Sequence, residues 1–407
     1  MKTIFFSIPS GSHKRAYFQP LLLFLKNNLN LQIICISPLA KYPKWIQQRE
    51  VRLPKAKENG IFWGVWDKKL FDQYQPSLVT ASTCGLDDKD IPILAEAKKR
   101  RIKTLVYVES WDNVWKMERH KESMIKADHI LVWNKMMQEH LMRALDYQKE
   151  EIGIVGSPRL DNLIKAEDLS SKAELFQFMN NLLPGEYKKI DLDPNKPLIH
   201  IATVELYDNS YMVKIVCEAR EKARKINKES QLAKAQIYCS VHPGGNMGRH
   251  LQYAKKYGVD MLKFSFGRNE SAPIKEFRYN PSIQDMKMLY GLFLHSDLLV
   301  NFSSTAALES CIADTPVINV KFGKPFDFWR WHESSVFKDF QEHYKDITDQ
   351  GGTFIARNKK ELIKAIESYL RNPKLDQKKR CATAKKLITF LDGRCSERVY
   401  QEIIKII

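Results

Sequence analysis

The chain has 407 residues, 44% hydrophobic and 28% charged, with 17 Gly and 17 Pro. This composition excludes a wholly disordered chain, a collagen-like repeat and a coiled coil, and the length predicts two domains or three. The 65 Lys and Arg against 48 Asp and Glu leave a net charge of +17, which points to an acidic partner: nucleic acid, an anionic membrane face or a phosphorylated substrate.

The first apolar run, TIFFSI, is broken by Pro9, Gly11, His13, Lys14 and Arg15; the next, LLLFL at 21–25, stops at Lys26. Neither is a signal peptide, and no stretch of 18 apolar residues occurs, so a soluble or peripheral protein is expected. The seven Cys (35, 84, 217, 239, 311, 381, 395) are never in CxxC spacing, and most lie in apolar runs such as LQIICIS. A disulfide framework and a thiolate zinc site are therefore not expected, and the compartment is read as the cytoplasm.

Short runs rich in β-branched and aromatic residues predict strands at 3–8, 31–37, 77–82, 103–108, 129–133 and 152–155, then at 198–204, 235–241, 297–302 and 316–320. They are continuously apolar, as in sheets covered on both faces. Helical period fills 15–28, 89–101, 135–146, 211–227, 283–295 and 304–313. Strand–helix–strand repetition predicts doubly wound parallel sheets, and the pattern runs twice. Between the runs, PGEYKKIDLDPNKP marks a boundary near 190. The expected domains are 1–190, 191–372 and a tail, 373–407, of two helices broken at Asp392-Gly393 that return to brace the first domain.

In such sheets ligands sit beyond the carboxyl ends of the strands. The residues there are PSGSHKR (9–15), ESWDN (109–113), GSPRLD (156–161), Glu205, HPGGN (242–246) and SSTAALE (303–309). Ser303, Ser304 and Thr305 offer hydroxyls and backbone N–H groups that suit a diphosphate, and Glu309, one turn on, suits ribose hydroxyls. The alternative for Ser303 is a plain helix N-cap. His242 closes an apolar strand, and Gly244 beside it permits close backbone approach; a buried core histidine is the other reading.

Strand, Ser-Ser-Thr, Glu309, an Ala-rich turn and PVINV together resemble the donor-binding segment of GT-B glycosyltransferases. They are similar also to that of non-hydrolysing sugar-nucleotide epimerases and polyol-phosphate transferases. VHPGG (241–245) resembles the strand-end His-Pro of the same half. SWDN (110–113), ADHILVWN (127–134) and VGSPRLDN (155–162) resemble bacterial surface-polysaccharide proteins of that superfamily. The resemblance implies two Rossmann-like α/β domains facing a central cleft, with a nucleotide-sugar donor held by the second. It implies donor contacts from His242, Gly244, Ser303, Ser304, Thr305 and Glu309, while Glu205, standing where a Gly-rich turn is usual, is read as a donor contact to sugar hydroxyls or water.

The first half would then hold the acceptor. Inverting transfer needs a base for the acceptor hydroxyl, and Asp112, Glu109 and His13 are the candidates; Asp112 is equally suited to a turn. Ser12, Trp111, Asn113 and Arg159 are read as acceptor contacts, against a core position for Trp111 and a surface ion pair for Arg159. No DxD triplet is read as a chelator of a metal-bound sugar diphosphate, and there is no metal-ligand His spacing, no GxGxxG after the first strand, no P-loop and no GxSxG elbow. Metal-independent transfer without a cofactor is expected.

Basic residues gather in KKRRIK (98–103), along 214–234 and in 374–386. Such runs are solvated helix faces or a surface for the anionic inner face of the cytoplasmic membrane, where lipid-linked glycan acceptors lie. No nucleic-acid-binding signature accompanies them. The expected activity is sugar transfer to a bacterial surface glycan. The alternatives are an epimerase, a CDP-polyol phosphotransferase, or a basic membrane- or nucleic-acid-binding scaffold.

Overall fold

A computed structural model describes residues 2–7, 21–22, 24–25, 27, 31–37, 61–82, 90–165, 169–182, 191–204, 210–242, 245–266, 281–323 and 342–407. Ser12, His13, Glu205 and Gly244 lie outside them, as does most of the helix expected over 15–28.

Two parallel sheets organise the chain. The first has the order β3-β2-β1-β4-β5-β6-β7, built from β1 (Lys2–Ser7), β2 (Leu31–Ser37), β3 (Ile61–Val65), β4 (Leu78–Ala81), β5 (Lys103–Tyr107), β6 (His129–Val132) and β7 (Ile152–Ile154). The second runs β10-β9-β8-β11-β12-β13, from β8 (Leu198–Ala202), β9 (Gln236–Val241), β10 (Met261–Phe264), β11 (Leu298–Asn301), β12 (Val317–Val320) and β13 (Phe354–Ala356). The strand order reverses where β1 meets β4 and where β8 meets β11. Ligands of doubly wound sheets bind at such points.

Three strands escaped the sequence reading: β3, β10 and β13. All three are edges of their sheets. MLKF and FIA are only four and three residues long, too short to stand out as apolar runs, whereas IFWGV is an apolar run that the reading passed over.

Both faces of the second sheet are packed. Ile199, Ile201, Ile237, Cys239, Val241, Val300 and Ile318 meet residues from helices Ser210–Ile226 and Lys359–Arg371. On the opposite face Leu198, Tyr238 and Met261 meet Leu175, Phe176 and Met179 of helix Lys172–Asn181, with Leu192 and Leu292. That second cluster moves the expected boundary. The chain divides into Met1–Asp161 with Asn269–Ile283 and Leu387–Ile407, and Asn162–Arg268 with Gln284–Lys386. The change of unit falls at Asp161/Asn162 rather than near residue 190, because helix Lys172–Asn181 buries its apolar face on the second sheet.

The GSPRLD segment has a structural task in the first unit. Gly156 adopts φ +77°, and a Cβ there would stand 2.5 Å from Cys395 Sγ, so only glycine fits. Asp161 accepts the backbone N–H groups of Cys395 and Ser396 at 2.9 and 2.8 Å, capping helix Cys395–Ile406. Asn134 Nδ2 donates to the Leu387 carbonyl at 2.7 Å.

Several residues of the basic runs are also internal. Arg220 is buried and donates to Asp260 and the carbonyls of Gly258 and Ala235. Arg380, also buried, donates to Asp314 at 3.0 Å and to the carbonyls of Leu375 and Pro373. Arg100 pairs with Asp72 and Glu96, and Lys98 with Asp128. These cations hold the fold and leave fewer for a partner.

Candidate functional site

Three adjacent strand ends of the second sheet meet here: β9 leads to His242 and β11 to Ser303, Ser304 and Thr305, all singled out above, while β8 leads to Thr203, which was not. Register sets their order, Ala202 standing opposite Asn301 and Ser240 opposite Ala202. Thr203 ties two of these ends together. Its N–H donates to the Ser240 carbonyl at 3.1 Å, and its Oγ1 accepts the His242 N–H at 2.8 Å. His242 is half-buried at this edge.

Ser303 does not cap the following helix, Ala306–Ile312. Thr305 takes the N-cap position, and its side chain makes no capping bond. The hydroxyl oxygens of Ser303 and Ser304 are instead buried without a hydrogen-bond partner. Two orphan hydroxyls at the point of strand-order reversal are what an anionic group would satisfy, since each can donate to a phosphate oxygen. Glu309 lies on the same helix, 5% exposed.

Sequence reasoning passed over Asn301. It ends β11 with its whole amide buried and neither Nδ2 nor Oδ1 bonded. The signal was an asparagine closing the apolar run LLV. It missed His200 as well, buried on β8 between the rings of Tyr238 and Phe293 at 5.3 and 5.8 Å. Neither imidazole nitrogen has a partner, and burial pushes its pKa down to about 3.

In the first unit, Glu109, Trp111 and Asn113 cluster at the end of β5, each under a tenth exposed. Trp111 presents too little of its ring for a sugar to stack upon. Asp112 is engaged locally, accepting from Ser110 Oγ at 2.6 Å and pairing with Lys116 at 2.5 Å. Arg159 is 4% exposed and so is not the surface residue weighed above; its guanidinium lies 5.7 Å over Trp133, whose Nε1 donates to the Val108 carbonyl. Burial raises the Tyr107 phenol pKa in the same region.

Two doubly wound parallel sheets of this order, the second with helices packed on both faces, define a GT-B-type pair of Rossmann-like domains. Solved structures share it over the whole chain. Staphylococcus aureus MnaA in complex with UDP superposes with a TM-score of 0.61 at 12% identity, covering 100% of this chain and 98% of that one. The UDP-GlcNAc 2-epimerase of Neisseria meningitidis bound to UDP-GlcNAc gives 0.59 at 10%, with 100% of both covered. The wall teichoic acid polymerase TagF gives 0.58 at 14%, covering 99% of this chain and 88% of its own.

At the level of sequence, residues 274–405 match the family model of CDP-Glycerol:Poly(glycerophosphate) glycerophosphotransferase. No curated protein sequence matches the chain. The matched segment contains β11, Ser303–Thr305 and Glu309. No helix among the described residues is long and apolar enough to cross a membrane.

Proposed function

We propose that the chain is a CDP-polyol phosphotransferase, moving glycerol phosphate from CDP-glycerol to a hydroxyl of a poly(glycerophosphate) cell-surface polymer. The observation that carries this reading is the family match over 274–405, which falls on the strand end where Ser303 and Ser304 keep unpartnered hydroxyls. It favours the alternative weighed above over sugar transfer.

The acceptor oxygen attacks the β-phosphorus of the donor. A phosphodiester forms, the bond to the bridging oxygen breaks, and CMP departs with that electron pair. Ser303, Ser304 and Thr305 hold the diphosphate, His242 approaches it from the end of β9, and Glu309 serves the ribose. The hydroxyl proton passes to a base, for which Asp112, Glu109 and His13 are the candidates; Lys116 and Ser110 engage the Asp112 carboxylate. A positioned base contributes about 10²–10⁴-fold.

The exposed Lys374, Lys378, Lys385 and Lys386 supply attraction to an anionic bilayer carrying the acceptor. Each contributes about 1 kcal/mol near the surface.

The test is CMP release from CDP-glycerol with a poly(glycerophosphate) acceptor, beside thermal shifts with CDP-, UDP- and GDP-linked donors. CDP-glycerol alone should shift the protein, and a folded Ser303→Ala/Ser304→Ala variant should lose both signals. Turnover of a UDP-sugar without acceptor, or transfer of a sugar, would remove this assignment.

A further inference from the structure

β11 and β12 set two asparagines in register, Asn301 against Asn319, both fully buried. One is satisfied. Asn319 donates from Nδ2 to Thr353 Oγ1 and accepts at Oδ1 from the Tyr344 hydroxyl, each at 2.9 Å. Asn301 makes neither kind of bond: its Nδ2 and Oδ1 are buried without partners. Native interiors rarely keep a dry amide without a use for it.

Neither of its registered neighbours on the sheet hydrogen-bonds its side chain. On β8 its registered neighbour is Ala202, whose side chain offers no donor or acceptor. On β12 it is Asn319, whose amide is engaged with Tyr344 and Thr353. Two and three residues further along its own chain stand Ser303 and Ser304, whose hydroxyls are buried and unpartnered as well. Three orphan side chains therefore share one strand end.

We infer that Asn301 is a positioning residue that orients these hydroxyls toward an anionic ligand, an inference that rests on the diphosphate-binding role of Ser303 and Ser304. A serine hydroxyl carries one proton. When the Asn301 amide N–H donates to the serine oxygen, directly or through one buried water, that oxygen is used as an acceptor and its own proton is free for a phosphate oxygen. Hydrogen bonds in series polarise one another, so the hydroxyl becomes a better donor. An aspartate at 301 would present only acceptors, take the serine proton for itself and set a negative charge near the diphosphate.

The experiment compares Asn301→Ala, Asn301→Asp and Asn319→Ala in the full chain, by thermal unfolding without ligand and by titration with CDP-glycerol. Asn301→Ala should keep its unfolding temperature, because it removes an unsatisfied amide, while Asn319→Ala should lower it. CDP-glycerol affinity should fall about 10- to 100-fold in Asn301→Ala and at least as far in Asn301→Asp. In the Ser303→Ala/Ser304→Ala background Asn301→Ala should add little, the mark of residues acting as one unit. If the wild-type chain binds CDP-glycerol and Asn301→Ala binds it equally well, or if its loss adds fully to that of the serines, the positioning role is overturned. If the wild-type chain binds no nucleotide at all, the donor-site reading fails and takes this inference with it.

Discussion

Asp161 accepts the backbone N–H of Ser396 at 2.8 Å across 235 positions of sequence. Its other carboxylate oxygen takes the Cys395 N–H, so one side chain satisfies two of the donors that the last helix leaves open at its first turn.

Asp161→Ala should cost about 1–2 kcal/mol, the usual effect of removing a helix N-cap. Asp161→Asn, which retains one acceptor, should cost about half as much. Urea unfolding measures the loss. Amide exchange at Cys395 and Ser396 locates it, and unchanged protection there would refute the capping role.

His200 makes stability depend on pH. In the fold its imidazole is neutral, with burial holding the pKa near 3, whereas the unfolded chain takes up a proton below about 6.5. The stabilisation is therefore complete above pH 6.5 and is lost progressively as pH falls toward 3, at up to about 1.4 kcal/mol per pH unit from this group. His200→Leu should flatten that limb. Some slope should remain, because burial also lowers the pKa of His250 and His140. Denaturant midpoints of both proteins at pH 7.5, 6 and 5 provide the comparison, and identical pH profiles would exclude the role given to His200.

Arg380 and its lysine neighbours should separate cleanly. Arg380→Met should destabilise the chain by about 2–4 kcal/mol, since the carbonyls of Leu375 and Pro373 lose this donor and Asp314 keeps only that of Gln377. Replacing Lys374, Lys378, Lys385 and Lys386 by Gln should leave stability within about 1 kcal/mol. The same four changes should weaken binding to phosphatidylglycerol vesicles at least tenfold, an effect erased by high salt. Undiminished vesicle binding would show that these lysines are only a solvated face.

Much of the fold was legible in short apolar runs. Strands such as 31–37 and 103–108 lie inside their sheets and need side chains that tolerate cover on both faces. The edge strands β10 and β13 are only four and three residues long and left little trace, while the apolar run IFWGV of β3 was passed over. The strand-end serines were legible because a doubly wound sheet brings its ligand to the residues that follow its strands. Asn301 was not, because an asparagine looks the same in sequence whether its amide is bonded or bare. Asn319, with two bonds made, differs from it only through Tyr344 and Thr353, 25 and 34 positions on.

Local sequence determined the alternation of strand and helix, the two-fold repetition of that pattern and the placing of Ser303–Thr305 at a strand end. These depend on periodicity and on turn residues within a dozen positions of one another. Tertiary structure alone decided that GSPRLD docks the final helix, that Arg220 and Arg380 are internal and that Asp112 is already paired. Hydrogen bonding and burial are set by whatever the folded chain brings into contact, and those partners come from distant stretches of the sequence.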